Sequence, residues 1–70
     1  MIRQQVESSG VRSLGYDPAN RALEVEFAGG GVYRYLDVPI GVVERLAVAP
    51  SIGSYVARKI RNVYRYRRVG

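Results

Sequence analysis

Residues 22–36 read ALEVEFAGGGVYRYL, and the alternation on either side of the glycines decides the fold. Leu23, Val25 and Phe27 fall on one side of an extended chain, with Glu24 and Glu26 on the other. That period of two predicts a half-buried strand over 22–27. Gly29-Gly30-Gly31 breaks the chain, and residues 32–36 resume as a second strand of the same hairpin. A two-residue loop, Gly29-Gly30, would place Val25 opposite Arg34 and put a cation on the apolar face. A loop of all three glycines sets Phe27 opposite Tyr33, Val25 opposite Tyr35 and Glu26 opposite Arg34. Apolar then meets aromatic and acid meets base, both favourable across strands. A slip of one residue would reverse every side chain, so the three-glycine loop is the expected register.

Upstream, residues 11–17 form a further strand, ended by the turn cluster Asp17-Pro18-Ala19-Asn20. Residues 1–10 are polar apart from Ile2 and Val6 and read as a poorly ordered lead-in. Downstream, Asp37-Val38-Pro39 marks a helix start, with proline in the first turn and an acid near the positive helix end. That helix runs to Val48 and offers Ile40, Val43, Leu46 and Ala47 to the core. Pro50 closes it, and Ser51 is the N-cap of a second helix. At 100° per residue Ile52, Val56, Ile60 and Val63 share one face, while Arg58, Arg61 and Arg65 form the opposite stripe. The expected fold class is α+β: a three-stranded antiparallel sheet followed by two helices packed on one face. The expected core is Leu23, Val25, Phe27, Tyr35, Leu46, Val56 and Ile60. The domain proper spans residues 11–66, and residues 67–70 form a basic tail.

Charge is concentrated at one end. Of the 11 cationic side chains, six fall in residues 55–70, which contain no acid and three tyrosines. The remaining residues are close to neutral, so this segment accounts for the excess of +5. Guanidiniums serve phosphates and ring faces serve bases, which makes the segment a nucleic-acid contact candidate. A pI near 10.1 favours polyanionic partners in general.

The catalytic inventory is thin. The 70 residues include no cysteine and no histidine, so the commonest general base and the commonest metal ligands are absent together. Ser8-Ser9 and Ser51 have no base to activate them. Glu24 and Glu26 share a strand face but read as solvated residues of an open sheet surface. The glycines lack the lysine and helix start of a phosphate-cradling loop. We expect no enzyme, no metal and no cofactor. No apolar run is long enough to span a bilayer, no secretory signal is visible, and the expected location is the cytoplasm.

The expected site residues are Arg58, Lys59, Arg61, Arg65, Arg67 and Arg68, with Tyr64 and Tyr66 stacking. A solvated helix face is the ordinary fate of such a stripe. Against that, its arginines have no acidic neighbour one turn away, and the pattern continues through Tyr64-Arg65-Tyr66-Arg67-Arg68, beyond the helix. Tyr33 and Tyr35 admit two readings, as core residues against Val25 and Phe27 or as an exposed platform for bases; register favours the core.

An ordered series of short elements resembles the KTSC domain, a module found at the C-terminus of some lysyl-tRNA synthetases and as a stand-alone bacterial protein. The series is Gly15-Tyr16-Asp17, Leu23-x-Val25-x-Phe27, Tyr33-x-Tyr35, Asp37-Val38-Pro39, Ala49-x-Ser51-x-Gly53-x-Tyr55 and Ile60-Arg61-x-x-Tyr64. It covers residues 8–66. Pro50 and the triple glycine depart from the pattern at loops. The resemblance implies no established activity and suggests RNA, tRNA above all, as partner. Two functions follow: an RNA-binding accessory module, or a protein-interaction module whose basic helix docks on an acidic partner.

Overall fold

The computed structural model describes the backbone of residues 2–8 and residues 10–70 in full. Met1, Ser9 and the side chains of residues 2–8 lie outside the described residues, and with them the reading of Ser8-Ser9. The strands are Ile2–Ser8 (β1), Val11–Asp17 (β2), Ala22–Phe27 (β3), Val32–Tyr35 (β4) and Tyr66–Arg68 (β5). Helix α1 spans Ile40–Ala47, and α2 spans Ile52–Tyr55 with a π-helical continuation over Val56–Ile60. The fold is α+β, and all neighbouring strands pair antiparallel in the order β1-β2-β3-β4-β5. The sheet therefore exceeds the three expected strands. β1 and β5 were missed because the first has few apolar points and the second is only three residues of basic sequence.

The hairpin register is also corrected, by two residues. Leu23 pairs with Tyr35, Glu24 with Arg34, Val25 with Tyr33 and Glu26 with Val32. The loop does hold three residues, but they are Ala28, Gly29 and Gly30. The Phe27 N–H donates to the Gly31 carbonyl at 3.1 Å, and the Gly30 N–H donates to Phe27 at 3.0 Å. Gly30 and Gly31 take φ of 104° and 92°, a region glycine enters without steric cost, so the turn closes on them rather than around them. Because the shift is even, the faces survive while the partners change. Tyrosines still share the face of Leu23 and Val25, but Arg34 now meets Glu24.

That ion pair overturns the reading of Glu24 as a solvated carboxylate. Arg34 donates to Glu24 Oε2 from Nη2 at 2.6 Å and from Nε at 3.1 Å, and the Glu24 side chain is only 9% exposed. Glu26 instead accepts from the Ser13 hydroxyl at 2.8 Å.

One apolar cluster joins sheet and helices: Val11, Leu23, Val25 and Tyr35 with Val38, Leu46, Val56 and Ile60. Six of the seven expected core residues are buried; Phe27 is only half-buried. Val38 was not expected there. Its N–H donates to the Arg21 carbonyl at 2.9 Å and its carbonyl accepts from the Tyr16 hydroxyl at 2.6 Å, so its backbone is satisfied as its side chain plugs the core. Arg21 and Asp37, with φ of 52° and 57°, make the sharp bends that bring these segments together. Asp37 is thus spent on a left-handed turn, and the first turn of α1, which Pro39 precedes, holds no acid. Leu46 is the buried residue of α1; Val43 is half-buried, and Ile40 and Ala47 are exposed. Ser51 does cap α2, accepting the Ser54 N–H at 3.3 Å.

Candidate nucleic-acid interface

The C-terminal third does not form the single arginine stripe that regular α-helical spacing predicts. After Tyr55 the hydrogen bonds widen, the Arg61 N–H reaching the Val56 carbonyl at 2.9 Å. A wider turn takes in one more residue, which displaces later positions by about 100° from α-helical phase. The helix then stops, and Val63 and Tyr64 both donate to the Ile60 carbonyl at 3.2 Å as the chain turns. Val63, expected on the core face, is 59% exposed. Arg65 leaves the helix altogether, and its carbonyl accepts from Leu36 at 2.8 Å as the chain enters β5.

β5 pairs Tyr35 with Tyr66, Arg34 with Arg67 and Tyr33 with Arg68. Strand alternation then divides the basic segment. Tyr66 and Arg68 join Tyr33 and Tyr35 on one face, while Arg67 joins Glu24 and Arg34 on the other. On the tyrosine face the rings cluster. Tyr66 lies 5.5 Å from Tyr33 and 5.7 Å from Tyr35, tilted at 48° and 45°, and Phe27 meets Tyr33 edge-on at 5.5 Å and 81°. The Arg61 guanidinium sits 5.7 Å above the Phe27 ring, a cation–π contact. This explains why Phe27 is half-buried: it packs against the core cluster and also borders an open cleft.

The cleft has a volume of about 400 Å³, with Phe27, Tyr33, Tyr35 and Tyr66 on its aromatic side and Arg61 and Asn62 facing them. A smaller depression of about 170 Å³ shares Phe27 and Arg61 as its wall and continues toward Gly10, Gly53 and Ala57. Arg68 lies outside the lining, beside Gly31, and its Nε donates to the Gly70 carbonyl oxygen at 3.0 Å. A Cβ on Gly31 would come within 3.5 Å of the Arg68 guanidinium and 3.1 Å of Tyr33 Cε1. Tyr35 is 2% exposed, and burial raises its phenol above the ordinary value of 10.0, with Arg61 pulling back against that rise.

Of the expected site residues, the structure brings Arg61 and Tyr66 into the lining of this cleft, with Arg68 outside it beside Gly31. Arg58 and Lys59 are exposed on the π-helical turn, Arg65 on the approach to β5 and Arg67 on the opposite sheet face. Tyr64 is half-buried against the core cluster. Sequence reasoning did not count Phe27, Tyr33, Tyr35 or Asn62 in the site. The Tyr33-x-Tyr35 spacing was a signal for the first pair of tyrosines; nothing in three residues of β5 announced what would lie beside them. Asp17 belongs to a turn: its carboxylate accepts from the Asn20 side chain at 2.7 Å, the main cause of its lowered pKa.

The model of the KTSC domain matches residues 7–68. The chain belongs to the KTSC domain family. It is 46% identical over 70 residues to an uncharacterized protein of Stutzerimonas stutzeri, covering 99% of both chains. It is also 37% identical over 60 residues to a lysine–tRNA ligase of a Nostoc species, where the match spans 86% of this chain but 11% of the ligase. Among solved structures, that of a KTSC domain protein from Yersinia pestis superposes with a TM-score of 0.95 at 39% identity, covering 99% of this chain and 97% of the other. No helix among the described residues is long and apolar enough to cross a membrane.

Proposed function

We propose that this KTSC domain is a non-catalytic RNA-binding module, its contact surface made by the segment from Tyr55 onward and the aromatic cleft beside it. One observation carries the reading. Arg58, Lys59, Arg61, Arg65 and Arg67 are exposed, and none of these five pairs with an acidic side chain among the described residues; Arg68, also exposed, donates from Nε to the Gly70 carbonyl oxygen at 3.0 Å. Exposed guanidiniums without acidic neighbours leave a field that attracts phosphate, and the open rings supply faces for bases. The occurrence of the same domain within lysine–tRNA ligases agrees with an RNA partner, tRNA first. The carboxylates of Glu24 and Glu26 are engaged by Arg34 and Ser13, which suits a binding module better than a catalyst.

The test is a fluorescence-anisotropy titration with RNA at several salt concentrations. If all six cations met phosphates, log affinity would fall against log salt with a slope of about −5 on duplex and −4 on single strands. Replacing Arg58, Lys59 and Arg65 with glutamine spares the Arg61–Phe27 contact, and should flatten the slope by about two to three units. A variant binding as the parent does at low salt defeats this reading. A salt-tolerant complex with an acidic protein would then be the function to pursue.

A further inference from the structure

Stacking rings and cations make a sequence-tolerant surface, but the cleft holds a feature that such a surface does not need. Tyr35 lines it while being 2% exposed, and its hydroxyl has no hydrogen-bond partner among the described residues. Nor is any buried side-chain oxygen or nitrogen left without a partner among them. The hydroxyl is therefore a donor and acceptor opening into the cleft. A buried tyrosine normally finds a partner for its O–H, and Tyr35 lines the cleft, so the cleft is where a ligand could supply one.

The surroundings define what fits. At about 400 Å³ the space lies toward the lower end of small-molecule sites, too small for a helix or a run of stacked bases. Its long side is aromatic, with Tyr66 57% exposed and set against Tyr33 and Tyr35. Arg61 lines the cleft over the Phe27 ring, where a phosphate beside an inserted group would lie, and the Arg68 guanidinium lies next to Gly31, outside the lining. A flat ring with polar edge atoms, joined to flanking anions, satisfies each of these at once. A base held in a duplex does not, because its faces are already covered by its neighbours.

We propose that the cleft is a subsite for one unpaired nucleobase of single-stranded RNA. The base lies against Tyr66 and Tyr33, the Tyr35 hydroxyl hydrogen-bonds its edge, and Arg61 and Arg68 hold the adjoining phosphates. This rests on the RNA-binding reading and adds to it a choice of strand state and a place for base contact.

Two variants test it, each measured on a single-stranded hexaribonucleotide and on an RNA duplex of the same length. Tyr66→Ala removes an exposed ring and should weaken single-strand binding roughly five- to hundredfold, the range expected for loss of one stacked base. Tyr35→Phe removes one oxygen from an otherwise unchanged ring and should weaken it roughly two- to tenfold. Neither should change duplex affinity by more than about twofold, and circular dichroism should show both folded. Variants that bind the single strand as the parent does, or lose equally on both ligands, overturn the subsite while leaving the basic surface standing. A parent protein that binds neither ligand overturns both.

Discussion

Phe27 was expected in the core, and the structure changes the consequence of removing it. A fully buried phenylalanine replaced by alanine costs about 3–5 kcal/mol. Phe27 is half-buried, so burial and cavity losses scale to about 1.5–2.5 kcal/mol. Its edge-on contact with Tyr33 and the overlying Arg61 guanidinium add about 1 kcal/mol between them. Phe27→Ala should therefore cost about 3 kcal/mol, a large share of the stability available to a domain of this size. In urea, with a slope near 1 kcal/mol/M for so short a chain, the midpoint should fall by about 3 M. Phe27→Leu, which keeps the apolar wall and loses the ring, should recover most of this. Because Phe27 and Arg61 separate the two depressions, the alanine variant should also weaken RNA binding under conditions where it remains folded. A loss below about 0.5 kcal/mol, or RNA affinity equal to the parent's, would refute the role assigned to this ring.

Arg34→Ala should cost about 1.5–3 kcal/mol, the range for a charged hydrogen bond to a largely buried carboxylate, and Arg34→Lys should restore part of it in the same urea titration. The contrast with Glu26 is diagnostic: under the observed register Glu26→Gln should be far milder, and equal losses at Glu24 and Glu26 would contradict it. The raised phenol of Tyr35 means that the folded state favours its protonated form. Its contribution to stability is whole below the ordinary tyrosine value of 10.0 and is lost as pH rises through the higher folded value. Stability measured between pH 9 and 11 should fall less steeply for Tyr35→Phe than for the parent; identical slopes would refute the shift.

The sequence carried the faces of the hairpin and most of the core because both follow from periodicity. Leu23, Val25 and Tyr35 had to share a side whichever even register was chosen. It did not carry the pairing itself: Glu24 and Glu26 are equivalent by pattern, and only the start of the loop, one residue earlier than expected, decides which one meets Arg34. The helix stripe failed for a different reason. A hydrophobic pattern at 100° per residue assumes regular hydrogen bonding, and the wide turn at residues 56–60 breaks that assumption where Arg61 must be placed. The candidate site was half legible. Arg61, Tyr66 and Arg68 stood out by composition, while their assembly with Tyr33, Tyr35 and Phe27 depends on β5 returning to the sheet edge, a long-range pairing with no local signal. Val38 was hidden by the turn chemistry of Asp37 and Pro39, which read as a helix start.

The most direct test of RNA binding at this surface is residue-resolved. An amide nitrogen–proton spectrum of the whole chain, titrated with a single-stranded hexaribonucleotide at low salt, should show progressive shifts at Gly30, Tyr33, Arg61, Asn62, Tyr66 and Arg68. The amides of α1, Ile40–Ala47, should stay in place. No shifts at millimolar RNA, or shifts gathered on α1 with the cleft amides unmoved, would contradict the account.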